Sequence, residues 1–85
     1  MNALPIIDLK GTGLNIARLR QGQGLSVRQL QQILGFASPQ AIYKWQHGDT
    51  LPTVDNLLAL SAIFGVPINA ILATSGFTAG GKQAG

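Results

Sequence analysis

The segment from Leu25 to Leu60 constrains the fold more than any other part of the chain, because two helix starts lie close together in it with a glycine between them. Ser26 and Gln29 have the spacing of a capping box, in which each side chain satisfies a free backbone N–H of the first helical turn. Gly35 follows an apolar pair and is typical of the left-handed residue that ends a helix. The segment therefore predicts a helix over residues 27–34.

A second short helix is predicted directly after this turn. Ser38 suits an N-cap and Pro39 suits the first helical position, so the pattern predicts a helix over residues 39–47. Gly48 marks its end. Two helices joined by a tight turn form a helix-turn-helix, whose second helix can enter the major groove of DNA.

The N-terminal part of the chain is expected to hold the first helix. Residues 1–11 are interpreted as an extended lead-in, because a proline interrupts them. The helix is predicted to begin after a Thr12 cap and to run to about Gly22. Its spacing places either Leu14 or Ile16 in the core.

The C-terminal part predicts two more helices and then a tail. Thr53 caps a helix over residues 54–64, and a short fifth helix occupies residues 68–72. Residues 74–85 are mostly small and polar, so we expect a flexible tail. No strand pattern with hairpin chemistry occurs, and the predicted fold is all-α: a compact five-helix bundle with a helix-turn-helix over residues 12–73.

The apolar residues expected in the core recur at helical spacing along the last four predicted helices. Among them are Leu30, Ile33, Leu34, Ile42, Trp45, Leu57, Leu60, Ala62 and Phe64.

The composition excludes several classes of protein. Cysteine is absent, so no disulfide, thiolate zinc site or cysteine nucleophile can form. The acids are Asp8, Asp49 and Asp55, and with one histidine they cannot assemble a catalytic triad or a metal cluster. No apolar run approaches the ~18 residues of a membrane span, and no secretion signal is apparent. We expect a cytoplasmic protein with no enzymatic activity, cofactor, metal or membrane partner.

The charge of the chain permits binding to nucleic acid without requiring it. The net charge is +3, yet only 11% of the residues are charged. The mean hydropathy of +0.26 is high for a small domain. This hydropathy indicates either a large apolar core or an apolar surface that a partner covers.

The predicted third helix presents a polar face. At ~100° per residue, Gln40, Lys44 and His47 lie opposite Ile42 and Trp45. The glutamine amide suits adenine, and lysine suits guanine or a phosphate. Many solvated helices have such a face, but its position after a capped helix and a short turn favours contact with DNA.

Other polar residues of the chain have two interpretations each. Arg28, on the first turn of the second helix, can reach a DNA phosphate or remain solvated. His47 suits the negative end of a helix dipole, with phosphate contact as the alternative. Trp45 is interpreted as core. Arg18 and Arg20 point to different faces of the first helix, so we expect one of them to pack.

These motifs together resemble the Cro/phage-repressor type of helix-turn-helix, or XRE family, from about Ile16 to Leu72. The segment Ser38–Trp45 resembles a common bacterial subgroup of that family. The motifs that carry the resemblance are Ile16-Ala-Arg-Leu-Arg20, Gly24-Leu25-Ser26, Leu30, Leu34-Gly35, Ile42, Trp45, Gly48, Pro52, Asn56-Leu57-Leu58-Ala59-Leu60 and Gly65-Val66-Pro67.

The resemblance implies a five-helix DNA-binding domain, usually of a transcriptional repressor that is often dimeric on a palindromic operator. Matched by position, Gln40 and Lys44 contact bases, and residues near the start of the second helix contact the DNA backbone. The residues expected to bind DNA are Ser26, Arg28, Ser38, Gln40, Ala41, Tyr43, Lys44 and His47.

The chain departs from the family pattern in four places. Val27 stands where many members have a glutamine that touches a phosphate. Gln46 stands where many have a glutamate paired with the arginine that matches Arg20, so a neutral hydrogen bond is expected instead. Gln31 replaces a small alanine, and the turn over residues 35–38 is one residue longer than the commonest form.

Two alternatives to a DNA-binding regulator stay open. The low charge, the apolar excess and Val27 favour a protein-interaction module that has lost DNA binding. The tail favours an antitoxin that binds both DNA and a toxin-like protein. The expected partners are double-stranded DNA and a second copy of the chain, with the toxin-like protein under the antitoxin alternative.

Overall fold

The computed structural model describes residues 5–75, and these contain five helices between two short strands. The elements are β1 (Ile6–Asp8), α1 (Leu9–Gly22), α2 (Val27–Leu34), α3 (Gln40–His47), α4 (Val54–Phe64), α5 (Ile68–Ile71) and β2 (Ala73–Ser75). The predicted five-helix bundle with a helix-turn-helix is therefore confirmed.

The first helix begins earlier than the sequence predicts. Asp8 is its N-cap and accepts a 3.0 Å hydrogen bond from the backbone N–H of Gly11. Thr12 lies inside the helix and is buried, so the expected Thr12 cap is wrong. The extended lead-in is confirmed for residues 6–8 and wrong for residues 9–11, which are helical, and residues 1–4 lie outside the described part of the chain. The carboxylate of Asp8 caps the helix about one turn before Thr12. The hydroxyl of Thr12 instead accepts a hydrogen bond from the backbone N–H of Ala73.

The two strands were not predicted. β1 and β2 pair antiparallel, with Ile6 opposite Ser75 and Asp8 opposite Ala73. Each strand has three residues, and no hairpin turn joins them, so neither leaves a local pattern in the sequence. The tail expected from residue 74 is wrong for residues 74 and 75, and its remaining residues lie outside the described part of the chain.

The capping signals predict the other helices closely. The bounds of α2 and α4 are confirmed. The capping box is present, with a 3.0 Å bond from the Gln29 N–H to the Ser26 hydroxyl and a 2.8 Å bond from the Ser26 N–H to the side-chain Oε1 of Gln29. The third helix begins at Gln40, one residue after the predicted Pro39, so its N-cap is Pro39 and the predicted Ser38 cap is wrong. The fifth helix ends at Ile71, one residue before its predicted end.

The core is one cluster of apolar side chains drawn from all five helices. Its buried members are Ile16, Leu30, Ile42, Trp45, Leu57, Leu60, Phe64 and Ile71. Ile16 rather than Leu14 is the buried residue of α1. Ile33 and Ala62 are exposed, contrary to prediction, because the buried face of α2 runs through Leu30 and Leu34, and that of α4 through Leu57, Leu60 and Phe64.

Within residues 5–75, no helix combines the length and the apolar character that crossing a membrane requires.

Candidate nucleic-acid interface

The two faces of α3 differ in burial as the sequence predicts. Ile42 and Trp45 are 0% and 3% exposed and belong to the core. The ring of Trp45 meets the ring of Phe36 edge to face, with centroids 5.8 Å apart, which fixes the turn against the helix. The opposite face presents the exposed side chains of Gln40, Tyr43, Lys44 and His47.

An aromatic pair lies on that exposed face. The rings of Tyr43 and His47 stack one helical turn apart, with centroids 6.4 Å apart and an angle of 28° between their planes. Stacking fixes both rings against the helix, so the phenol and the imidazole are presented to solvent in a defined arrangement beside Lys44.

Two surface grooves flank α3. The α2-side groove has a volume of about 370 Å³ and is lined by Val27, Arg28, Gln31, Gln32, Pro39 and Tyr43. The α4-side groove has a volume of about 620 Å³ and is lined by Gly35, Phe36, Ala37, Ser38, Gln40, Ala41, Lys44, Thr50 and Asn56. The helix is therefore a ridge, with Tyr43 facing one groove and both Gln40 and Lys44 facing the other.

The other four predicted site residues lie on or around α3, and they differ in how accessible their side chains are for contact with DNA. Arg28 is exposed on the first turn of α2. Ser26 is exposed, but its oxygen accepts the bond that caps α2. Ser38 is exposed, and its oxygen lies 3.4 Å from the backbone nitrogen of Gln40. Ala41 is half-buried against the core, so it is the least available of the set.

Two glutamines that depart from the family pattern have structural partners. The Nε of Arg20 donates a 3.0 Å hydrogen bond to Gln46 Oε1, which confirms the predicted neutral bond. A second guanidinium N–H of Arg20 donates to the carbonyl of Leu25 at 2.7 Å, so Arg20 is the arginine that packs. The amide of Gln31 donates to the carbonyl of Phe36 at 3.2 Å and so stabilises the lengthened turn.

Sequence reasoning missed the residues that close the α4-side groove. Thr50 and Asn56 face α3 from the loop before α4 and from its first turn. No local signal in the sequence could have indicated them, because the 3.3 Å bond from the Asn56 N–H to the Thr53 hydroxyl caps α4 without relating that turn to α3. Among residues 5–75 no group of three or more metal-ligating side chains comes together.

Comparison with known proteins places this geometry in a family. A helix-turn-helix family model matches residues 16–71, which is more than half of the chain. No curated protein sequence matches it.

Three similar solved structures are proteins of different size. The DNA-binding domain of S. venezulae BldD is 25% identical with a TM-score of 0.66, and the match covers 78% of this chain and 97% of that one. The restriction-modification controller protein C.AhdI from Aeromonas hydrophila is 22% identical with a TM-score of 0.67, over 75% of this chain and 96% of that one. Apo-HppE is 19% identical with a TM-score of 0.69, over 78% of this chain and 36% of that longer one.

The similarities to C.AhdI and to HppE show that these two proteins share the fold of this chain. With the matched segment spanning α1 to α5, the chain belongs to the XRE-type helix-turn-helix family.

Proposed function

We propose that the chain is a sequence-specific DNA-binding transcriptional regulator that places α3 in the major groove. The observation that carries the proposal is the exposed face of α3. Gln40 and Lys44 offer the amide and ammonium groups that suit base edges. That face is held outward because Ile42 and Trp45 on the other side are buried in the core.

The grooves on both sides of α3 support this docking. A helix in the major groove, which is ~12 Å wide, has one sugar–phosphate backbone on either side. Arg28 and Tyr43 line the α2-side groove and would donate to one backbone. Thr50 and Asn56 line the α4-side groove and would donate to the other. Such contacts fix the register of the protein on the duplex, while Gln40 and Lys44 supply the sequence preference.

The charge pattern predicts strong dependence on salt. The guanidinium of Arg20 is bonded inside the fold, which leaves Arg28 and Lys44 as the cations in the two grooves beside α3. We expect the affinity for the best site to fall roughly tenfold or more from low to physiological salt, as counterions are released from a few phosphates.

The family supports a regulatory role. The similar BldD structure is a DNA-binding domain, and it shares 25% identity with this chain over 97% of the BldD domain. This likeness supports DNA binding. From the resemblance to the phage-repressor type of helix-turn-helix, we further infer that the chain acts as a repressor in the cytoplasm, without catalysis.

A two-fold dimer on a palindromic operator is part of the proposal, and its supporting surface is on α4. Ile68, Ile71 and Leu72, the large apolar residues in and just after α5, pack on the core and so offer little surface for an interface. By contrast, Val54 and Leu58 are 70% and 57% exposed one helical turn apart on α4. Burial of these side chains against a second copy would place the half-sites about one helical turn, ~10 bp, apart.

The test is selection of bound sequences from a random DNA pool, followed by titration of the selected and scrambled duplexes at several salt concentrations. An enriched palindrome that the scrambled duplex does not match in affinity supports the proposal. Equal binding to both duplexes contradicts base recognition by α3.

The exposed apolar residues also favour a second candidate, a protein-interaction module that has lost DNA binding. Leu14, Ile33, Val54 and Leu58 are each more than half exposed. Under this candidate the pool shows no enrichment even at low salt. The antitoxin alternative relied on the tail, most of which lies outside the described residues.

A further inference from the structure

The backbones of α1 and α3 meet closely at Gly13. A Cβ atom added to Gly13 would lie 2.2 Å from the carbonyl oxygen of Trp45 and 2.7 Å from that of Gln46. Both carbonyls belong to the last turn of α3, and they are backbone atoms that cannot rotate away. Only glycine permits this separation of the two helices.

Two further contacts hold the same turn of α3 against α1. Gly48, the left-handed C-cap of α3, leaves no space for a Cβ, because the Lys10 Cγ and Cα atoms would lie 2.9 and 3.0 Å from it. At the other end of α1, Arg20 Nε donates to the Gln46 side chain. Lys10, Gly13 and Arg20 lie three and seven residues apart, so they share one face of α1.

We propose that the packing of α1 on the last turn of α3, at Gly13 and through the Arg20–Gln46 bond, sets the orientation of α3 and thereby the placement of Gln40 and Lys44 on DNA. Gly13 is in this sense a positioning residue. The inference rests on the proposed function and goes beyond it, because Gly13 precedes the segment that the family model matches. The helix α3 has only eight residues, which is about two helical turns, so its last turn and its base-facing side chains belong to one short element. A shift of its last turn away from α1 therefore tilts the whole helix and moves the side chains that contact bases.

The experiment compares Gly13→Ala with Gly22→Ala, a matched control in the same helix. Nothing lies within 4 Å of a Cβ added at Gly22. Each variant is titrated, at a temperature where it is folded, with the selected duplex and with a scrambled one. Residual dipolar couplings of backbone amides report the orientation of α3 relative to α1.

For Gly13→Ala we expect the ratio of selected to scrambled affinity to fall by at least about fivefold, as for loss of one bidentate base contact. We also expect the couplings of α3 to change relative to those of α1, while Gly22→Ala changes neither. A purely structural role would lower both affinities with the folded fraction and leave the ratio intact. An unchanged ratio together with unchanged couplings in a folded Gly13→Ala protein overturns the inference.

If Gly13→Ala does not fold, the same two measurements are made on Gln46→Ala. This variant removes the bond between Arg20 and the last turn of α3 without adding an atom. The inference then requires a lower ratio and changed α3 couplings in that variant, and it is overturned if both stay at their wild-type values. If the wild-type protein selects no sequence from the pool, the proposed function fails. The positioning claim is then decided by the couplings alone.

Discussion

The hydroxyl of Thr12 accepts a 2.9 Å hydrogen bond from the backbone N–H of Ala73, and so ties the first turn of α1 to the strand that ends the fold. One turn further along α1, the amide of Asn15 donates to the carbonyl of Ile71 at 3.0 Å. The backbone of Ile71 and Ala73 is therefore held to α1 by hydrogen bonds with two α1 side chains, in addition to the contacts of the core.

Thr12→Val is expected to destabilise the domain, because valine keeps the shape of threonine but leaves the Ala73 N–H without its partner. Thr12 is 1% exposed, so its hydroxyl is shielded from water in the folded protein. The expected loss is about 1–3 kcal/mol in the free energy of unfolding, measured by urea or thermal denaturation. Thr12→Ser, which keeps the hydroxyl, is the control. If valine proves as stable as the wild type, the bond has no role in stability.

Gln40→Ala is expected to relax the preference at one base pair of the operator, at a cost of about 1–3 kcal/mol on the best site. Its effect on scrambled DNA should be small, since the amide has no phosphate role in the proposed docking. The measurement is binding to a set of single-base operator mutants. Gln21→Ala, an exposed glutamine on α1, is the control. A uniform loss of affinity with intact base preferences would show that α3 does not contact bases as proposed.

Arg28→Ala is expected to weaken binding to all duplexes alike and to reduce the slope of log affinity against log salt by about one. The reason is that its guanidinium lines the α2-side groove, where a phosphate would lie and no base edge would reach. Arg18→Ala removes the same charge from α1, where Arg18 bonds to Asn15, and controls for net charge. Equal slopes for the two variants would place Arg28 away from the DNA.

Leu58→Asp is expected to prevent dimer formation on DNA while leaving the monomer folded, because the side chain is exposed and the core does not need it. A charge in an apolar interface loses its hydration without a partner. Light scattering of the protein–DNA complex measures the stoichiometry, and circular dichroism checks the fold. Leu14→Asp, at an exposed leucine of α1, is the control. If the wild-type complex contains one chain per duplex, the dimer proposal is wrong.

The helices could be predicted where their signals are local. The bounds of α2 and α4 follow from Ser26, Gln29, Gly35 and Thr53, each of which acts on backbone atoms within one turn of itself. The exposed face of α3 follows in the same way from the spacing of two buried apolar residues.

The features that the sequence does not reveal depend on residues far apart in the chain. β1 and β2 are short strands with most of the domain between them, so no turn chemistry marks their pairing. Thr12 looks like a cap until the position of Ala73 is known. Likewise, Gly13 resembles an ordinary glycine of a helix, and only the distance to the last turn of α3 shows why a side chain is excluded there.

The pairing of Ile6 with Ser75 has a consequence for how this fold can be joined to other proteins. Partners in an antiparallel pair lie about 5 Å apart at their Cα atoms, so the two ends of the described segment meet at one point of the surface. Insertion of the described segment into a surface loop of another protein would therefore need a gap of only about one strand spacing in that loop. HppE, in which the matched region makes up 36% of a longer chain, illustrates that the same fold occurs within larger architectures.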